Sequence, residues 1–150
     1  MTRLSRFLRR FRADSSGATA VEFAIVAIPL LLTLLGSVEF GRMIWTRQSM
    51  SEVAVMTARC SGVPQSECAA SGARDNAKTL SYAVATAAKW GLTLTASNVT
   101  LEPSATCGGA AGFSKVTVTY RFATAVPALI KQLADNPMTV SACFPNSMAS

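Results

Sequence analysis

The residue types that carry most enzyme chemistry are missing or scattered. The 150-residue chain contains no histidine, which removes Ser-His-Asp and Cys-His catalysis and every histidine-bearing zinc site. Asp14, Glu52, Glu67, Asp75, Glu102 and Asp135 lie far apart, with no acidic pair at helical spacing to set a general acid beside a general base. Gly-x4-Gly-Lys-[Ser/Thr], Gly-x-Ser-x-Gly and Ser-x-x-Lys do not occur, and Gly108-Gly109-x-x-Gly112 is followed by no P-loop lysine. No enzyme, catalytic residue or cofactor is expected. Two groups of residues remain. Glu22 stands five residues after Gly17, at the start of an uncharged apolar run; a carboxylate in or beside a bilayer costs up to a few kcal/mol and calls for a counter-charge. Cys60, Cys68, Cys107 and Cys143 can form disulfides in an oxidising compartment.

Both groups need positioning elements, and composition narrows these. Half the residues are hydrophobic and 15% are charged, against about 25% in an average soluble domain. The net charge of +6 is not a nucleic-acid footprint. Arg3, Arg6, Arg9, Arg10 and Arg12, less Asp14, put +4 into the first 16 residues, and only +2 remains beyond them. A basic tail before an apolar run is a topology signal, whereas a DNA-binding face spreads its cations over a folded surface. Residues 23–38 carry no charge. Extended back to Ala18 they span about 31 Å as a helix, enough for a hydrocarbon core of about 30 Å. Pro29 is a tolerated kink in such a segment. Arg42 and Trp45 suit the far interface. The arginines belong on the cytoplasmic side, which places all four cysteines outside. A cleaved secretory signal fits poorly, because Gly36-x-Val38 is a poor site and the apolar pattern continues past it.

Beyond the membrane segment, residues 37–59 read as an amphipathic helix. One apolar row comprises Phe40, Ile44, Ser51 and Val55, and another comprises Met43, Met50, Val53 and Met56. Glu39 and Arg42 are three apart and pair as a solvated or interfacial ion pair. A loop at 60–68 containing Gly62 and Pro64 leads to a second helix over 71–90. Ala73, Ala77, Leu80, Val84 and Ala87 or Ala88 mark its apolar face, and Gly91 is its stop. Strands are expected at 92–96, 98–102, 114–122 and 138–144, with a short helix at 127–134. The clearest strand alternates Val116, Val118, Tyr120 and Phe122 with Thr117, Thr119 and Arg121. Four cysteines allow three pairings; Cys60–Cys68 and Cys107–Cys143 are favoured. A tetrathiolate zinc site usually shows Cys-x2–4-Cys pairs, and seven residues separate Cys60 from Cys68, so no metal is expected. The fold class is α+β: a long N-terminal membrane-spanning helix, an amphipathic stalk, a second helix and a small antiparallel sheet head with disulfides.

Gly17-Ala18-Thr19-Ala20-Val21-Glu22-Phe23 closes a basic leader, with the glutamate fifth after the glycine. This resembles a class III prepilin peptidase site. With Pro29, Glu39-Phe40-Gly41-Arg42 and Ala58-Arg59, the segment closely resembles TadE-like proteins of the tight-adherence (Flp) pilus system. The resemblance is strong over residues 12–59 and weak beyond. It implies removal of residues 1–17 by a prepilin peptidase at the bacterial inner membrane, leaving Ala18 as the new N-terminus. It also implies pairing of Glu22 with the N-terminal amine of a neighbouring subunit, as a register device. The partners it implies are other pseudopilins, the major pilin and the inner-membrane assembly platform. On this reading the chain comprises a leader (1–17), a transmembrane helix (18–45), a stalk (46–59) and an extracytoplasmic head (60–150). The alternatives are an uncleaved single-pass scaffold and an adhesive binding module.

Overall fold

The structure is a computed structural model, and it describes residues 16–63, 65–124 and 137–147. The arginine leader and the helix expected at 127–134 lie outside the described residues. The chain divides into two units between Val38 and Glu39.

The first element, α1 (Ser16–Gly62), is one helix of 47 residues. Leucine, alanine and methionine favour it, and Pro29 is its one internal breaker. Proline has no N–H to give the Ile25 carbonyl. The turns that follow carry side-chain bonds instead: the Thr33 hydroxyl donates to the Pro29 carbonyl and the Ser37 hydroxyl to the Thr33 carbonyl, both at 2.8 Å. Residues 19–38 leave their apolar side chains open, Phe23 by 73%. Those 20 residues span about 30 Å, the thickness of a bilayer's hydrocarbon core. The helix is long and apolar enough to cross a membrane.

Within the second unit α1 becomes one-sided. Its buried positions include Glu39, Thr46, Ser49, Met50, Val53, Ala54, Thr57, Ala58 and Ser61, a stripe of mostly small residues at spacings near three and four, with Cys60 and Gly62 also buried at its end. This corrects the expected rows. Met50 and Val53 are core, but Phe40, Ile44, Val55 and Met56 face outward. Close approach of the packed elements selects small side chains on the inner face. α1 also continues through Cys60 to Gly62, where the expected loop already begins.

A two-residue ribbon comes next: β1 (Ala69–Ala70) pairs antiparallel with β2 (Ala73–Arg74). Ser71 and Gly72 turn between them with φ of 52° and 80°, the positive φ at both central positions that tight hairpins use. The ribbon delays the second helix, α2 (Asn76–Lys89), relative to the expected start at 71. Asp75 caps it by accepting the Lys78 N–H at 2.9 Å. At the other end Gly91 (φ 73°) allows paired bonds from Gly91 N to Ala88 O and Leu92 N to Ala87 O, the Schellman stop.

No strand forms at 92–96. Leu92 and Leu94 are buried as the alternation requires. However, the segment ends in a 3-10 turn at Ala96–Asn98, with the Thr95 N–H donating to Asn98 Oδ1 at 2.8 Å. The sheet comprises β3 (Val99–Cys107), β4 (Ala110–Tyr120) and β5 (Met138–Pro145), antiparallel in the order β3-β4-β5. Val116 and Val118 are fully buried, and Val99 and Phe122 nearly so. Val99, Val116 and Val118 share one core with Met50, Val53, Ala54 and Ala58 of α1 and Ala83 and Ala87 of α2. The fold is α+β.

Candidate functional site

The candidate processing residues sit at the start of α1. Gly17, Glu22 and Phe23 are all exposed on the helix, and Ala18 lies in its first turn. A Cβ added at Gly17 would meet nothing within 4 Å, and Gly17 has no left-handed φ. Packing among the described residues therefore does not require a glycine here.

Pro29 lies within the exposed apolar stretch, and the Glu39-Phe40-Gly41-Arg42 motif opens the second unit. The pair expected as solvated or interfacial forms, and it is open to solvent on one side only. The Arg42 guanidinium donates from Nη1 to Glu39 Oε2 at 2.8 Å, but the Glu39 side chain is only 4% exposed. Arg42 also lies over the Phe122 ring, 5.6 Å from its centroid, within cation–π range. Glu39-Arg42 thus ties α1 to the segment leaving β4. Phe40 points outward and Gly41 faces open space.

The cysteines form two bonds. Cys60–Cys68 joins the last turn of α1 to the start of β1, with Cα atoms 5.8 Å apart. Cys107–Cys143 joins the two outer strands over β4, with Cα atoms 6.5 Å apart. Strands two places apart are normally separated by about 9.5 Å, so the sheet must curl at this end. Its irregularities supply the curl. Register shifts fall between Glu102 and Ala105 and between Ala105 and Cys107, and Gly112 adopts φ 89° in β4 opposite the second of them. The Gly108-Gly109 turn, with φ of 60° and 85°, closes the hairpin in two residues where a longer loop was expected.

One polar cluster gave no sequence signal. Arg74 donates to the Ser61 carbonyl (2.8 Å), the Pro103 carbonyl (3.2 Å) and Asn146 Oδ1 (3.0 Å). Asn146 also donates from Nδ2 to the Pro103 carbonyl, and accepts from the Ser114 hydroxyl at 2.6 Å. The Ser147 N–H reaches the Gly62 carbonyl at 2.9 Å. The open carbonyls at the end of α1 are thereby satisfied by a cation and an N–H. A single arginine in a two-residue strand carries no pattern that would announce this. Among the described residues no group of three His, Cys, Asp or Glu side chains gathers to hold a metal ion.

Comparison with curated proteins and with solved structures finds no match. Comparison with protein families does: residues 17–59, from the glycine before Ala18 to the last turns of α1, match the family described as TadE-like protein, the family that the leader and helix motifs resemble.

Proposed function

We propose that this chain is a minor pilin or pseudopilin of a tight-adherence pilus, processed by a prepilin peptidase and used in assembling the filament for surface attachment. The observation that carries the reading is an overlap. The TadE-like match covers residues 17–59, and within it runs an exposed apolar helix of membrane-spanning length, with Glu22 five residues after Gly17.

In this reading residues 1–17 are a cytoplasmic leader removed after Gly17, and the segment 18–45 carries the inner-membrane crossing, its outer end from Glu39 already packed in the second unit. Residues 46–59 form the stalk, and 60–150 form a periplasmic head. The leader's arginines hold the chain in the membrane until cleavage exchanges them for one amine. Glu22 then pairs with the free amine of a neighbour, each charge offsetting the other's burial in low dielectric. The function is helix packing plus charge pairing, without catalysis.

The test is the N-terminus of the protein purified from its own membrane, by intact mass or N-terminal sequencing, with Gly17→Arg as control. A chain beginning at Ala18, lost in the control, is the expected result. A chain still carrying Arg3 to Arg12 would overturn processing and favour the uncleaved scaffold. Recovery from sheared filaments separates a filament subunit from an assembly factor.

A further inference from the structure

Among the described residues the sheet has two outer strands, and the sequence treats them differently. β3 is interrupted by two register shifts, carries the charged Glu102, and contains Pro103, which has no N–H to offer. α2 also lies beside it. These are the usual means of keeping an edge from recruiting another strand. β5 has no register shift and no charge, and its one proline, Pro145, is its last residue. All eight of its residues pair with β4 without a break in register. Met138-Thr-Val-Ser-Ala-Cys-Phe carries no charge and no proline before Pro145. Its outer edge presents a regular row of main-chain donors and acceptors about 27 Å long.

Beside that edge runs a groove of about 510 Å³, with Ile44, Arg47 and Ser51 of α1 on one side and Thr139 and Ser141 of β5 on the other. It continues toward Phe40 and Met138. Arg47 is the one charged side chain lining either stretch among the described residues, is exposed, and has no hydrogen bond or ion pair there.

We propose that the open edge of β5 accepts an extended strand from a different pilus subunit, with a carboxylate of that strand paired to Arg47. The proposal rests on the chain being an assembling subunit. Main-chain groups in a row recognise an extended backbone, and the pocket beside them selects side chains. The lone cation selects an acid. A second copy of β5 would bring no carboxylate and would carry another Arg47 toward the first, a like-charge encounter.

The test places the photo-crosslinker p-benzoyl-phenylalanine at Ser141 in the full chain, in its own membrane with the other pilus proteins present. The expected product joins Ser141 to a segment of another pilus subunit that contains Asp or Glu. Its yield falls about tenfold in Arg47→Glu and recovers when that acid is replaced by arginine. Because Arg47 makes no bond among the described residues, the variant keeps the unfolding transition of the parent. A product joining Ser141 to this same sequence, a yield indifferent to Arg47→Glu, or no product overturns the proposal. The same probe at Phe23 separates the two readings. Crosslinks to pilus subunits at Phe23 with none at Ser141 remove the strand and leave the assembly reading standing; none at either position removes both.

Discussion

Glu39 and Gly17 show why a residue's surroundings matter more than its type. The carboxylate of Glu39 is almost wholly buried while Arg42 stays about half exposed, so the pair is neither a surface ion pair worth a few tenths of a kcal/mol nor a fully desolvated one. Breaking a buried pair from one side costs about 3–5 kcal/mol; solvent access at Arg42 reduces this. Arg42→Ala is expected to destabilise the head by about 1–2 kcal/mol, including its stacking on Phe122. Arg42→Lys should recover only part of that, because an ammonium keeps the charge and loses the planar stack. Thermal unfolding of the two variants checks the order. Gly17 makes the opposite case, since nothing among the described residues needs its missing side chain. Gly17→Ala should leave helicity equal or slightly higher, by under about 1 kcal/mol of propensity, while processing falls. Loss of cleavage with intact circular dichroism assigns the glycine to recognition by the peptidase; unchanged cleavage removes that role. Glu67 offers a pH marker. Its carboxyl is held below the ordinary carboxylate range, first by a backbone N–H and then by the Ser66 hydroxyl, which donates at 3.0 Å. A depressed folded value means that the contribution is present above the unfolded pKa and lost as pH falls through the folded one. Ser66→Ala should move the Glu67 titration midpoint upward, as read by carboxyl NMR shifts.

The inner stripe of α1 carries two element-scale predictions. Thr57 is completely buried, and its hydroxyl has no hydrogen-bond partner among the described residues. Thr57→Val removes a desolvated polar group at nearly constant shape and should stabilise the head by about 1 kcal/mol. Thr57→Ala, which also leaves a void, should destabilise it. At the end of the same helix a Cβ on Gly62 would stand 2.9 Å from Phe144 Cδ1 and 3.0 Å from the Pro145 carbonyl oxygen. The ring can swing aside, but the backbone oxygen in β5 cannot. Gly62→Ala should therefore cost about 1–3 kcal/mol, whereas Gly41→Ala, facing open space, should cost nothing in the isolated chain. Denaturant unfolding of the three sites gives the comparison. The same stripe marks the limit of what patterning reveals. Alternation located β4, because Val116, Val118 and Tyr120 repeat at the period of a half-buried strand. It misassigned α1's inner face, since large apolar residues drew the pattern outward while alanine, serine and threonine make the contacts. It also read Leu92–Ala96 as a strand. Those leucines do point inward, but a strand needs a neighbouring backbone, and the 3-10 turn capped at Thr95 denies it one. The Ser71-Gly72 and Gly108-Gly109 turns were written in the sequence, yet an alanine-rich run hid the first and a longer glycine-rich loop obscured the second. At the candidate site, the Gly17-to-Phe23 spacing and the Glu39-to-Arg42 motif were legible as patterns. The ring over Arg42 is that of Phe122, 80 residues along the chain from it, and local spacing carries no information about that.

For the molecule as a whole, the two disulfides fall at unequal distances along the chain, and this sets what each can do for the head. Cys60–Cys68 closes a separation of 8 residues and Cys107–Cys143 one of 36. On the loop-entropy account these contribute about 2.5 and about 3.8 kcal/mol. The short bridge is fully buried among core residues, whereas Cys143 is exposed, so replacing the long bridge leaves little cavity and isolates the loop term. A domain of about 90 residues has a net stability of only about 5–14 kcal/mol, and losing the long bridge removes a large share of it. The Cys107→Ala/Cys143→Ala double variant is expected to lose about 3–4 kcal/mol of head stability, read from Trp90 fluorescence in denaturant. The apolar stretch of α1 before Val38 is joined to no other segment by either bond, and its helicity in detergent should be unchanged. Reduction of the parent protein should reproduce the head's loss and exceed it, since both bridges open. If the double variant unfolds at the parent's denaturant midpoint, the curl of β3 toward β5 is held by the bulges and the Arg74–Asn146 cluster alone. The Arg74→Met variant should then show the loss that the disulfide did not.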